Sequence, residues 1–305
     1  MEAVWSLVVL ALFGTYAVVN GFDLGSGLIY LFAARTDSDR RLLMKSSENS
    51  AVGLILAGIA ATGALSAVLP VGFVFAAALL VALCILRRLC AILHNRVAAL
   101  AFGWATFAAM VAFGLVIGKI VASSPAIRGT PAASWIPLLC TFCTMSILTL
   151  YSASWVAMNS TGELQERCRH LASGMWWAVL GSYVTLASAV IAVGPDVLGS
   201  LLQDSWMCGV AVAALAGLIG SRLCLGIGFD LGVVASAVCI AASLLASATA
   251  GPFSTLTVTA PFSLSAALLW SMLALSLMAA YKAGMHRRAR SRMPAGHNHQ
   301  VLRGR

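Results

Sequence analysis

From residue 4 to residue 284 the chain returns again and again to apolar stretches, most of them about twenty residues long, joined by short polar segments. A backbone running through lipid has no water to satisfy its N–H and C=O groups, so each stretch is expected to close its own hydrogen bonds as an α-helix. The stretches fall near 4–34, 50–69, 71–93, 98–121, 134–158, 173–194, 206–225, 232–250 and 263–284. The fold class this predicts is an all-α polytopic membrane protein with about nine transmembrane helices. Composition agrees, because only 10% of the residues are charged, where a soluble chain would carry about a quarter. The first stretch follows Glu2, has no basic n-region and runs to about Ala34. That is long for a signal-peptide core, and the segment is expected to be retained.

An odd number of spans puts the termini on opposite sides, and charge chooses between the two orientations. Arg35, Arg40, Arg41 and Lys45, then Arg87, Arg88 and Arg96, then Arg167, Arg169 and Arg222, with Lys282 and the six arginines of the tail, fall on one side. Lys119 and Arg128 fall on the other. The positive-inside rule then predicts an outside N-terminus and a cytoplasmic C-terminus. Trp5, Trp135 and Trp206 at outer helix ends, and Trp155, Trp176 and Trp177 near inner ones, fit interfacial belts. The organisation expected is one transmembrane helical domain over 1–284 and a basic cytoplasmic tail over 285–305. The arginines of that tail read as a topology anchor rather than a nucleic-acid site. Pro70 divides the apolar run 50–93 into two helices joined by a tight turn. Small residues such as Ala57, Gly58, Ala60, Ala61 and Gly63 suit close helix–helix approach. The string Gly-Phe-Asp-Leu-Gly occurs at 21–25 and again at 228–232, with flanks too different for a repeat.

Residues able to carry chemistry are sparse. His94, His170, His286, His297 and His299 lie at helix ends, in an inner segment or in the tail. Met110 and Met145 lie within spans but read as core packing. Haem inside a bilayer takes axial His, Met or Cys ligands projecting from helices, so this chain is expected to bind no haem directly. It shows no Walker motif, metal cluster or nucleophile–base set. The eight cysteines lie mostly in apolar spans, and the Cys140–Cys143 spacing there reads as small buried residues rather than a redox pair.

What remains is a polar set at membrane depth. Asp23 sits inside the first apolar stretch, where insertion of a carboxylate costs about 2.5–3.5 kcal/mol. Asn20 is three residues earlier and shares its helix face, with Tyr16 extending the stripe. Glu48 falls at the expected start of helix two, where a carboxylate complements the helix dipole, and Arg87 near the end of helix three. These four, Asn20, Asp23, Glu48 and Arg87, are the proton-relay candidates. The plainer alternatives are an acid that locks helices together, a helix-start residue, and an arginine that snorkels to the interface.

These strings resemble a known family. Asn20-Gly21-Phe22-Asp23-Leu24-Gly25 is similar to the signature of subunit II of cytochrome bd quinol oxidases. Arg35-Thr36-Asp37-Ser38-Asp39-Arg40-Arg41 resembles that family's following loop, and Leu54-Ile55-Leu56-Ala57-Gly58 its second helix. Thr161-Gly162-Glu163-Leu164-Gln165-Glu166-Arg167-Cys168-Arg169 resembles its GEL-x-x-R-x-R cytoplasmic loop. Thr255-Leu256-Thr257-Val258 and the stretch 263–282 resemble its last outer loop and ninth helix. Two departures stand out. Of the family's Trp-acid-Gly-Asn-Gln-x-Trp run only the acid is kept, as Glu48, and the acid that follows Arg87 in the family is missing. The resemblance implies a haem-free subunit II, beside a haem-bearing subunit I that carries haems b and d, in a quinol oxidase of a prokaryotic inner (plasma) membrane. Quinol would be oxidised and oxygen reduced to water, with Asp23 and Glu48 at positions suspected of passing protons from the cytoplasm. It also leaves room for a structural quinone, a small accessory subunit and bound membrane lipid. Two other classes stand beside it: a repurposed or structural partner subunit of a related oxidoreductase, and a small-solute permease.

Overall fold

The computed structural model describes residues 21–48, 71–93, 96–122, 134–193, 212, 214–223 and 239, and every regular element among them is a helix. The helices are α1 (Gly21–Ala33), α2 (Asp37–Glu48), α3 (Val71–Leu93), α4 (Arg96–Ala122), α5 (Ile136–Asn159), α6 (Glu163–Val193) and α7 (Ala214–Leu223). Within α4, Val97–Lys119, and the whole of α5 are long and apolar enough to cross a membrane.

Local chemistry explains where these helices begin and end. At α2 the Thr36 hydroxyl accepts from the Asp39 N–H at 3.2 Å, and the Asp39 carboxylate accepts from the Thr36 N–H at 3.2 Å. This reciprocal capping box satisfies two N–H groups at the helix start, and Asp37 and Asp39 complement the dipole there. Pro137 enters α5 in its first turn, where its missing N–H is harmless. Within α5, Thr141, Ser146, Thr149 and Ser154 each donate a hydroxyl to the carbonyl four residues earlier, at 2.7–2.9 Å. The helix therefore carries polar residues without exposing them to lipid. It ends where Ser160 turns both its N–H and its hydroxyl onto the Val156 carbonyl. Gly162, at φ 75°, then takes the left-handed step that starts α6. The last turn of α1 widens into a π-turn over Ile29–Ala33, closed by the Ala34 N–H on the Ile29 carbonyl at 2.9 Å.

Helices α3, α4, α5 and α6 pack in chain order, each against the next, and α7 lies against α6. Helix α1 seats on α4 and α5 through glycines on two of its sides. Gly21 and Gly25 face Leu148, Tyr151 and Ser152 of α5, and Gly27 faces Thr106 and Phe107 of α4. Gly114 and Gly118 of α4 bring Thr141 and Pro137 of α5 equally close. The core between them holds Leu24, Ile29, Phe102, Met110, Phe113 and Leu148, all fully buried.

Two boundaries differ from the sequence reading. Residues 35–49 read as a loop because they are polar and charged, yet the Thr36–Asp39 cap starts a helix that runs through Glu48. Glu48 is therefore not in a first turn, and the dipole argument made for it belongs to Asp37 and Asp39. The segment 159–172 also read as loop, but α6 is continuous from Glu163. Hydropathy marks where lipid begins and not where a helix does. The expected helix of 71–93 coincides with α3, and those of 98–121 and 134–158 lie within two residues of α4 and α5. The spans expected over 50–69 and 263–284, the tail, residues 4–20 of the first span, about half of 206–225 and all of 232–250 except Cys239 lie outside the described residues.

Candidate functional site

Asp23, Gly27 and Tyr30 follow one another at helical spacing and so share a side of α1. Gly27 lets that side come close to α4, since a Cβ there would sit 2.8 Å from the Phe107 nitrogen. Further along, Tyr30 meets Phe102 edge-on with centroids 5.4 Å apart, and the Arg40 guanidinium lies 5.9 Å from the Tyr30 ring centre. Asp23 is fully buried. Arg87 of α3 reaches it across the interface, with Nη2 donating to Oδ2 at 3.0 Å. The rise along α1 from Asp23 to Ala33 is about 15 Å, and along α3 from Arg87 to Leu93 about 9 Å. The pair thus lies well inside the helix ends.

Arg87 is only 7% exposed, so it does not snorkel; it is held in the bundle by a counter-charge. Burying two charges is worthwhile only with good geometry and further hydrogen bonds. The Asp23 backbone carbonyl accepts from the Ser26 hydroxyl at 2.6 Å. Its second carboxylate oxygen, Oδ1, is buried and has no hydrogen-bond partner among the described residues. A carboxylate with one oxygen held by an arginine and the other open can take a proton or a water molecule without breaking the ion pair. The Ser152 hydroxyl, on the α5 surface that packs under Gly25, is likewise buried without a partner among the described residues.

Of the four relay candidates, the structure brings Asp23 and Arg87 into contact. Asn20 and the neighbouring Tyr16 lie outside the described residues. Glu48 is placed as backbone in α2, and its side chain lies outside them.

The sequence reading missed a second polar centre. Arg167 of α6 donates to the Ala33 carbonyl at 3.5 Å, lies 3.8 Å from the Asp39 carboxylate and pairs with Glu163. One guanidinium thereby joins the end of α1, the start of α2 and the first turn of α6. The Glu163–Arg167 spacing of four was the available signal. Beside it Cys168 is fully buried, and burial pushes its thiol up to about 12, with the Asp39 carboxylate adding to the shift and Arg167 offsetting part of it. Because the folded state prefers the neutral thiol, that preference persists below the usual thiol range and is lost as pH rises toward 12. Cys168 is therefore expected to resist iodoacetamide at pH 8 in the native protein and to react after denaturation. Mass-spectrometric alkylation mapping checks this, and rapid native labelling would contradict it.

No three His, Cys, Asp or Glu side chains among the described residues gather as a metal site. Met110 is fully buried with its sulfur 3.9 Å from the Thr149 hydroxyl, and His170 is exposed on α6.

Comparison with known proteins adds two likenesses. The family described as cytochrome bd terminal oxidase subunit II matches residues 1–287. A protein of Haemophilus influenzae described as a probable cytochrome oxidase subunit 2 is 27% identical over 218 residues, which cover 62% of this chain and 55% of that relative. The chain thus spans about half the length of the curated relative it matches.

Proposed function

This chain belongs to the cytochrome bd terminal oxidase subunit II family, a family of integral membrane proteins, and from that premise we propose that it is the haem-free subunit of a quinol oxidase. In this reading it spans the inner membrane of a prokaryote with nine helices, its N-terminus outside and its basic tail in the cytoplasm. It pairs with a haem-bearing subunit I, with room for a small accessory subunit and a structural quinone. Quinol oxidation and the reduction of oxygen to water take place on the partner's haems b and d. This chain contributes proton uptake from the cytoplasm.

The observation that carries the reading is Asp23, fully buried about 15 Å from the inner end of α1, with Oδ2 on Arg87 and Oδ1 open among the described residues. A proton arriving from the Tyr30–Arg40 end of α1 would bind at Oδ1. Arg87 stays hydrogen-bonded at Oδ2 and keeps the carboxyl in place while Oδ1 takes and passes the proton. Asn20, three residues before Asp23 in the sequence, is the next relay candidate in this reading, and Glu48 would serve as an entry acid. A second reading, a structural partner subunit, draws on the same ion pair, because Asp23–Arg87 also ties α1 to α3.

The test is a reduced-minus-oxidised optical spectrum of the affinity-purified chain with whatever co-purifies. Haem bands of b and d type that travel with this chain, and vanish from membranes when it is deleted, are the expected result. A colourless chain with no haem-bearing companion would end this reading and return the permease to consideration.

A further inference from the structure

Where α6 meets α7 the two helices build a basic corner lined by tryptophan. Ser173 meets Arg222 and Trp176 meets Leu218, so the helices run antiparallel. Arg222 lies over the Trp176 ring, its Cζ 5.5 Å from the centroid, and its Nη1 donates to the Ser173 hydroxyl at 2.8 Å. Trp176 is itself fixed, its indole N–H donating to the Leu218 carbonyl at 2.9 Å. Trp177 stands edge-on to Trp176 with centroids 4.8 Å apart and is 58% exposed.

None of the ion pairs among the described residues involves Arg222. Arg169, exposed, precedes Ser173 on the same side of α6 and adds to the positive field. Glu166, an acid on that side, is about 10 Å further along the axis from Ser173. A guanidinium held flat on an indole and steadied by a hydroxyl is oriented in advance for a phosphate. Leu215 and Ile219 lead away from Arg222 along the same face of α7, and they are 52% and 57% exposed. The corner is therefore amphiphilic, with a cation and an interfacial indole at one end and an open apolar stripe running from it.

We infer that this corner binds an anionic phospholipid. The headgroup phosphate sits on Arg222 within the field of Arg169, Trp177 lies at the glycerol level, and an acyl chain follows the α7 stripe. A free phosphate would use the cation and leave the stripe and Trp177 idle, so the lipid is the occupant that accounts for all of the features.

Native mass spectrometry of the full chain with its co-purifying partners, titrated in micelles, tests this. Phosphatidylglycerol is expected to bind, phosphatidylcholine not to, and excess inorganic phosphate not to displace the lipid. Arg222→Gln is expected to weaken phosphatidylglycerol binding about fivefold, as loss of one basic residue at an anionic surface does. Arg222→Lys, which keeps the charge but loses the fork, should fall between. Trp177→Ala removes an exposed ring without disturbing the bundle, and it is expected to weaken binding even if Arg222 variants fail to fold. Equal phosphatidylglycerol binding by wild type and both the Arg222→Gln and Trp177→Ala proteins would overturn the inference. So would equal binding of phosphatidylcholine, or displacement by inorganic phosphate.

Discussion

Asp23→Asn is expected to destabilise the protein more than Arg87→Gln, although both cut the same 3.0 Å ion pair. Removing one partner of a buried pair costs about 3–5 kcal/mol, because the remaining charge loses its compensation. The two halves are not equivalent. A carboxyl left without its arginine can take up a proton and become neutral, whereas a guanidinium stays charged at any pH the protein survives. Asp23→Asn therefore leaves an obligate cation in the bundle, with only its hydrogen-bonding contacts to hold it. Thermal unfolding of the purified complex in detergent measures the difference; equal losses would mean that the pair is more hydrated than its burial indicates. The double variant Asp23→Leu with Arg87→Met separates relay from lock. Replacing both charges with apolar groups of similar size is often neutral or stabilising, so much of the lost stability should return. Turnover should not: quinol-driven oxygen uptake is expected to stay reduced by about two orders of magnitude or more, as when a proton-transferring group is removed. Recovery of both stability and turnover would leave Asp23–Arg87 a helix lock and end the relay reading.

The contrast between these residues also shows what a sequence makes legible. Asp23 could be picked out because a carboxylate inside an apolar stretch is costly, and that cost is visible in one dimension. Arg87 was visible as a charge near a helix end, but its partner was not. The two lie 64 positions apart, and the glycine-mediated seating of α1 on α4 and α5 brings them together. The apolar helices were readable from length and hydropathy, which is why the expected 71–93 coincides with α3. The polar helix starts were not. The polar start of α2 hides a helix behind a capping box, and its signature, Thr36 followed three residues later by Asp39, was present in the string and outweighed by charge. Arg167 went unseen for a different reason: two of its three partners, Ala33 and Asp39, come from other elements, and no local pattern announces a side chain that joins three helices. The Ser152 hydroxyl, without a partner among the described residues, had no signal at all in an α5 rich in serine and threonine.

Gly25→Ala is expected to be among the most damaging single-methyl changes in the described bundle. A Cβ at Gly25 would collide with the backbone carbonyl of Leu148 and come within 2.7 Å of the Ser152 Cβ. A carbonyl engaged in a helix cannot swing aside, so the added carbon must push α1 away from α5. Overpacking of this kind costs about 1–3 kcal/mol, and displacement of α1 also moves Asp23 relative to Arg87. Gly21, one turn earlier on the same seam, is a graded comparison. Its nearest neighbours are a terminal methyl of Leu148 and the ring of Tyr151, side-chain rather than backbone atoms at 3.1 Å, which must give by a few tenths of an ångström. Gly181 on α6 is the opposite case, with nothing within 4 Å of the added carbon. There alanine only removes backbone freedom from the unfolded chain, and the change should stabilise the helix by about 0.5–1 kcal/mol. The expected order of stability is therefore Gly181→Ala above wild type, Gly21→Ala slightly below it, and Gly25→Ala far below. Oxygen uptake should fall with Gly25→Ala at temperatures where the complex remains folded, because the seam sets the distance across the ion pair. A Gly25→Ala protein with wild-type melting behaviour and turnover would mean that α1 does not seat on α5 as closely as described, and the placement of Asp23 against Arg87 would lose its foundation.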